Sequence, residues 1–201
     1  VLEVEGYEAD DVIGTLAYKG AEAGYEVYMV TPDKDYGQLV GENRKLYKQK
    51  GDSIEVVDTA AICEKYGIPD PVLVRDILAI WGDASDNIPG VPGIGEKGAC
   101  KLVRQWGTVE NLLDHVSEIK GKQGESIAAW GDKLRLAKQL TTICLDVPVD
   151  FNPEELTVCA PHLDRLQALF AHLGFKSFLN DLNNLAAPEP LPDGPRQAPQ
   201  T

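Results

Sequence analysis

Seven acidic side chains fall in three short clusters: Glu8, Asp10 and Asp11 in GYEADD, Asp33 and Asp35 in TPDKD, and Asp83 and Asp86 in GDASDN. Each cluster closes an apolar run, so a folded core can bring all three to one rim. Two unit charges about 4 Å apart repel by roughly 4 kcal/mol at an effective dielectric near 20, so such a group is stable only if its members protonate, stay apart or bind cations. Hard oxygen donors favour Mg²⁺ or Mn²⁺. A single Asp in such a place is ordinarily a helix cap or turn residue. Three clusters, each at an element end, argue instead for a shared site.

A second constellation is the run GVPGIGEKG, from Gly90 to Gly98. Gly93, Gly95 and Gly98 satisfy G-x-G-x-x-G, but no strand precedes them, so the dinucleotide fingerprint fails its context. The phosphate-loop spacing fails too, because Glu96 and Lys97 stand where Lys and then Ser or Thr are required. What remains is a glycine-rich turn between two helices. Backbone N–H groups at the second helix's start, with Lys97, Lys101 and Arg104 at spacings of four and three on one face, suit a phosphate. Such a site holds nucleic-acid backbone without reading bases. The alternative is an ordinary helical hairpin with a solvated basic face.

The elements that must position these residues follow from periodicity. Asp10 or Asp11 can cap a helix carrying Val12, Ile13, Leu16 and Ala17, with Gly24 stopping it before a β-rich run from Tyr25 to Thr31. Val27 to Val30 is apolar enough for a central parallel strand, which puts Asp33 and Asp35 just beyond its carboxyl end, where ligands gather in open α/β sheets. Their spacing of two points both the same way if the chain stays extended. Lys45 to Tyr47 and Ser53 to Val57 read as strands, with Gly51 and Asp52 as a hairpin turn. Thr59 caps a helix through Tyr66, and Pro71 opens one that runs to about Trp81. Asp83 and Asp86 share a helical face if that helix persists. Thereafter only helices are expected: Lys97 to Trp106, Val109 to His115, Gly124 to Trp130, Lys133 to Thr142 and Pro161 to Leu173.

Composition sets the outer bounds. The chain has 201 residues, 43% of them hydrophobic, and a formal net charge of −13. It can bury a real core. That charge repels DNA in general, so nucleic acid would have to use the local basic face and metal-screened carboxylates. Cys63, Cys100, Cys144 and Cys159 lack CxxC spacing, which argues against zinc, against a disulfide framework and for a reducing cytoplasm. No apolar run approaches the roughly 20 residues of a membrane helix, and no export leader is visible. His115, His162 and His172 show no ligand spacing, and Trp81, Trp106 and Trp130 read as packing residues.

GYEADD, TPDKD with Gln38 and Leu39 after it, and GDASDNIPGVPGIGEKGACKLV, in this order and spacing, resemble the 5′–3′ exonuclease domain of bacterial DNA polymerase I, within the flap endonuclease family. The resemblance runs from Val1 to about Leu185 and includes Phe175-Lys-Ser-Phe178. It implies a parallel-sheet nuclease core over residues 1–80, incomplete at its N-terminus. A helical region with a helix-three-turn-helix DNA grip follows over 81–185, and a proline-rich linker over 186–201. It also implies phosphodiester hydrolysis by two Mg²⁺ or Mn²⁺ ions, for primer removal, nick translation and repair. Glu8, Asp10 and Asp33 would lie nearer the water-activating ion, and Asp35, Asp83 and Asp86 nearer the other. Asp11 reads either as a ligand outside the inner coordination sphere or as the helix cap.

Gly90, Gly93, Ile94 and Gly95, with Lys97, Lys101 and Arg104, would grip DNA, and the turn carbonyls could hold K⁺. The implied partners are 5′ flaps, nicked or duplex DNA ends, RNA primers on DNA, and polymerase and proofreading domains in the same parent chain. Family members open with a strand and a helical arch that supply further ligands and basic residues. The expectation is therefore that this piece alone cleaves weakly or not at all. The rival reading is a non-enzymatic helix-hairpin DNA-binding module whose acidic clusters are caps and solubilising charge. An acidic Ca²⁺-binding protein lacks its D-x-[DN]-x-[DN]-G loop.

Overall fold

The GYEADD run starts a helix because Glu8 stands at its N-cap in extended backbone, and Asp11, three residues on, accepts the Glu8 backbone N–H at 3.2 Å. This is the back-bonding half of a capping box. In the computed structural model, which describes residues 1–182 except Asp52, the helix is α1 (Ala9–Glu22). Glu8 therefore takes the cap expected of Asp10 or Asp11. Gly24, at φ +87°, then turns the chain into strand β1 (Val27–Val30).

β1 pairs in parallel with β2 (Arg44–Lys50), which pairs antiparallel with β3 (Ser53–Val57). The order β1-β2-β3 places β1 at the edge of the sheet among the described residues, not at its centre. Its burial alternates along the strand. Met29 is inside, whereas Tyr28 and Val30 are exposed, the one-sided pattern of a strand covered on one face only. Gly51 turns the β2–β3 hairpin at φ +60°, and Asp52, its expected partner, lies outside the described residues.

Helix α2 (Thr59–Tyr66) is capped by Asp58, which accepts the Ala61 N–H at 2.9 Å; Thr59, the expected cap, is the first helical residue. Asp70 and Pro71 then open a 3-10 turn (Pro71–Leu73) that runs into α3 (Val74–Trp81). This helix is the hub. Val74, Ile77, Leu78, Ala79 and Ile80 are fully buried, and α3 packs against both α4 (Glu96–Trp106) and α6 (Lys122–Leu140). Short α5 (Val109–Asp114) lies between them in sequence, capped by Thr108. Leu46 of the sheet, Ile62 of α2 and Leu134 of α6 belong to one apolar cluster, so the sheet and the helices share a core.

Two expectations change downstream of Trp81. The chain does not stay helical: Gly82–Asp83 and Ile88–Pro89 pair as the small antiparallel strands β4 and β5. The two helices expected over 124–130 and 133–142 are one helix, α6. Gly131 lies between the two expected segments, but burial of Ile127, Leu134 and Ala137 carries the helix through it. The three tryptophans do pack against the core, and Trp106 also stacks on His115 with ring centroids 5.1 Å apart.

Residues Val1–Phe151 form one compact unit, and a second begins at Asn152. In the second, α7 (Leu163–Leu173), starting two residues after Pro161, meets α8 (Lys176–Leu182) across Gly174. Phe170, Phe175 and Phe178 form its aromatic cluster, with centroids 5.4–6.2 Å apart. The expected linker from Ala186 lies outside the described residues. No described helix is long and apolar enough to cross a membrane.

Candidate metal centre and basic hollow

Asp33 and Asp35 do not project together from an extended strand. Asp33 donates its N–H to Thr31 Oγ1 at 3.1 Å, and its own Oδ1 accepts the Asp35 N–H at 3.0 Å. This Asx turn, which Pro32 helps to start, folds the chain back into a 3-10 turn over Asp35–Leu39. Asp33 is left exposed and Asp35 is carried inward, 7% accessible. Gln38 pins the turn from beneath: its Nε2 donates to the carbonyls of Asp35 and Thr141 at 3.0 and 2.8 Å, and its Oε1 accepts the Ile143 N–H at 3.1 Å.

Asp83 and Asp86 arrive by a different device. Asp83 sits on β4, and Asp86 lies in the β4–β5 turn, where Asn87 takes φ +56°. Asp83 Oδ1 accepts both the N–H and the hydroxyl of Ser85, at 3.0 and 2.7 Å. The turn exists because two glycines interlock. A Cβ on Gly90 would stand 1.9 Å from the Trp81 carbonyl oxygen, and one on Gly82 would stand 2.3 Å from the Gly90 nitrogen. A hairpin turn, not a helical face, thus presents the third cluster.

These two devices bring Asp35, Asp83 and Asp86 together, each offering an oxygen within 4.8 Å of the others'. Asp35 Oδ1 is buried without a hydrogen-bond partner. Burial, reinforced by Asp33 and Asp83, pushes the Asp35 carboxyl up to about 7. Burial alone would raise Asp83 as well, but Lys34 at 2.5 Å and the two Ser85 bonds outweigh it and hold that carboxyl below its ordinary value. Lys34 is the one protein cation in salt-bridge contact with this group among the described residues. Nothing in the spacing of TPDKD marks Lys34 for this contact, which only the fold creates.

The first cluster reaches the same rim less directly. Asp10 Oδ1 accepts the Tyr36 hydroxyl at 2.7 Å, and burial together with that carboxylate raises the phenol well above its usual range. Asp10 is thereby tied to the residue that follows Asp35 in the chain. Asp11 has both oxygens engaged, Oδ2 by the Glu8 N–H and Oδ1 by the Cys144 N–H at 2.8 Å. Asp11 thus serves the helix start as the N3 partner of the capping box, the N-cap itself being Glu8. Glu8, Asp10 and Asp33 stay outside the three-carboxylate group, Glu8 and Asp33 on the exposed surface. The donor set suits a hard divalent cation: several carboxylates, no His or Cys, one orphaned buried oxygen.

Beside Asp83 a hollow of about 680 Å³ opens, bordered by Lys34, Trp81 and Ser85, and it extends to Gly90. The glycine loop begins there. Val91 donates its N–H to the Ile80 carbonyl at 2.8 Å, and Ile94 donates to the Val91 carbonyl at 3.0 Å. Ile94 is buried and its N–H is used, so it anchors the turn instead of facing a ligand. Gly93 supplies the left-handed residue, at φ +81°, and Gly95 caps α4. Lys97, Lys101 and Arg104 do share one exposed face of α4, around a second hollow of about 450 Å³.

A family model described as the N-terminal resolvase-like domain of 5′–3′ exonuclease matches residues 1–67, and one described as the 5′–3′ exonuclease C-terminal SAM fold matches residues 69–164. DNA polymerase I of Bacillus caldotenax is 42% identical over 193 residues, which are 94% of this chain and 22% of that protein. Thermostable DNA polymerase I of Thermus thermophilus is 38% identical over 201 residues, 99% of this chain and 23% of that one. The chain thus spans about a fifth of the length of these relatives. Among solved structures, zinc-bound 5′-exonuclease of bacteriophage T5 superposes with TM-score 0.62 at 21% identity, over 91% of this chain and 61% of that one. The catalytic core of Rad2 with DNA substrate superposes with TM-score 0.54 at 16% identity, over 85% and 60%. At these identities the likeness is one of fold.

Proposed function

The chain belongs to the 5′–3′ exonuclease family, with the α/β flap-nuclease fold, and from that premise we propose that its acidic rim is the metal centre for phosphodiester hydrolysis on DNA. The observation that carries this reading is the convergence of Asp35, Asp83 and Asp86 within 4.8 Å, with a buried Asp35 oxygen that nothing in the protein satisfies. Two Mg²⁺ or Mn²⁺ ions, when bound, would supply a hydroxide near neutral pH and stabilise the leaving oxygen. Asp35, Asp83 and Asp86 would hold one, and Asp33 and Asp10, with Glu8 farther out, would face the other. Lys34 balances the carboxylates in the absence of metal.

The substrates proposed are 5′ flaps, nicks and duplex ends of DNA and RNA primers on DNA, with polymerase and proofreading domains as partners in the parent chain. The named relatives support this, as does the bacteriophage T5 flap endonuclease solved as a pseudo-enzyme–product complex with DNA and metal ions, TM-score 0.61. The hollow beside Asp83 is consistent with it, because it reaches Gly90, where the glycine loop begins; Gly93 and Gly95 of that loop, with Lys97 and Lys101, are proposed to grip the duplex. The carbonyls of that loop are proposed as a K⁺ site.

Calorimetry of Mn²⁺ binding and Mg²⁺-dependent cleavage of a labelled 5′-flap duplex test the reading together. Metal affinity that collapses in D35N and D83N, with hydrolysis abolished by EDTA, supports it. Metal binding and duplex affinity both indifferent to the two substitutions would overturn it in favour of a module that only binds DNA.

A further inference from the structure

The basic face of α4 does not stand alone. Lys65, from the last turn of α2, lines the same 450 Å³ hollow as Lys97, Lys101 and Arg104, although it lies more than thirty residues earlier in the chain. Four of the chain's 19 basic residues thus surround one depression in a protein of net charge −13, with Glu96 as the single lining carboxylate. Such a concentration is not what an evenly solvated acidic surface produces.

What brings Lys65 there is the end of α2. Gly67 closes that helix in the left-handed conformation, φ +66°, and Arg104 Nε donates to its carbonyl at 2.9 Å. The guanidinium lies flat over the bare α-carbon: a Cβ at Gly67 would be 1.8 Å from Arg104 Nη2. Arg104 therefore acts as a strut between α4 and α2, with its Nε–H spent inside the protein. Lys65, Lys97 and Lys101 are exposed and make no ion pair among the described residues; Lys65 Nζ lies 4.6 Å over the Tyr66 ring, which orients the ammonium without neutralising it.

We infer that Lys65 is a DNA-backbone ligand, completing with Lys97 and Lys101 a three-lysine phosphate seat that spans the two halves of the nuclease, and that Arg104 positions the seat instead of filling it. This rests on the proposed nuclease reading and extends it to a residue outside the glycine loop and its helix. The ligand is the phosphodiester backbone of the duplex, recognised by charge and not by base.

The test is fluorescence anisotropy of the full chain with a fluorescein-labelled nicked duplex across a salt series, Ca²⁺ being the divalent ion. K65A should weaken binding and lower the slope of log K against log salt by about one, as K97A and K101A do, because each phosphate contact releases about one counterion. K65R should restore the slope, and K65A should leave Mn²⁺ binding at the acidic rim unchanged. A K65A slope equal to that of the unsubstituted chain, alongside reduced slopes for K97A and K101A, overturns the inference and leaves the nuclease reading standing. Duplex affinity that is independent of salt in every variant overturns both.

Discussion

The acidic rim and the basic hollow are each assembled from two distant segments of the same unit, yet they are built on opposite principles. At the rim, Asp35 and Asp83 are 7% and 2% accessible, and the hairpin that presents Asp83 requires two glycines in interlocked backbone contact. In the hollow the lysines are exposed, on ordinary helical backbone. Charges held inside repel one another and cost folding energy until a cation arrives; charges held outside are screened and cost little. The rim should therefore couple activity to stability, whereas the hollow should affect binding alone.

The largest effect expected is on catalysis. D83N removes a buried carboxylate from the metal centre and should lower Mn²⁺ affinity, and whatever flap cleavage the chain retains, by at least about a hundredfold, since even residues behind metal ligands are worth 10–100-fold. It also strips Lys34 of its partner at 2.5 Å, so the melting temperature without metal should fall as well. A hollow variant such as K97A should leave that temperature where it was. Equal losses of stability in D83N and K97A would break the comparison.

Next in size is the backbone that holds the rim. G90A places a methyl 1.9 Å from the Trp81 carbonyl oxygen, a clash with main chain and not with a yielding side chain. Overpacking of that kind costs about 2–3 kcal/mol, or roughly 5–10 °C in melting temperature for a domain of this size. G93A tests the loop itself, where strain at φ +81° is present but no atom lies near the added methyl. It should cost about 1 kcal/mol. Thermal melts of the two variants rank them, and a G90A protein as stable as the parent would mean that β4 and β5 can part without loss.

This contrast also explains how much could be read from the chain. The hollow's α4 face was legible, because helical spacing alone fixes which of Lys97, Lys101 and Arg104 are neighbours. Its fourth member was not. Lys65 joins only through the Gly67–Arg104 contact, a tertiary event with no local signature. At the rim, residue identities were legible but not their presentation: spacing of two suggested an extended pair and spacing of three a helical face. Instead, an Asx turn and a β hairpin carry them, since Asp competes for backbone N–H groups wherever a turn is available. The edge position of β1 was hidden for a similar reason, because four apolar residues in a row look alike at the centre of a sheet and at its margin.

The pH dependence of stability sharpens the comparison further. The folded chain keeps a proton on Asp35 up to about pH 7, whereas the unfolded chain releases it near the ordinary value of 3.8. Between those values the native state binds the extra proton, so this group's contribution favours the fold at the acidic end and is lost as pH rises through about 7. Melting temperatures in EDTA should decline across that window, D35N should flatten the decline, and added Mn²⁺ should reverse it above pH 7. Asp83, depressed by Lys34 and Ser85, works in the other direction, and its contribution fails only on acidification below the ordinary carboxylate range. A D35N profile parallel to that of the parent would mean that the slope originates elsewhere.

The smallest effect expected lies in the hollow. Glu96 is its lone carboxylate and also occupies the first turn of α4, where the helix dipole favours a negative charge. E96Q therefore separates two small influences of opposite sign: the helix start loses about 0.5 kcal/mol, while a phosphate approaching Lys97 and Lys101 loses a repulsive neighbour worth a similar amount. Duplex binding should tighten about twofold at low salt and converge with the parent at high salt, as the melting temperature drops by a degree or two. The two readouts move in opposite directions only if the hollow is a binding surface held apart from the stability of the fold. Weakened binding and lowered stability together would make Glu96 a structural element of α4, and the hollow no simpler in design than the rim.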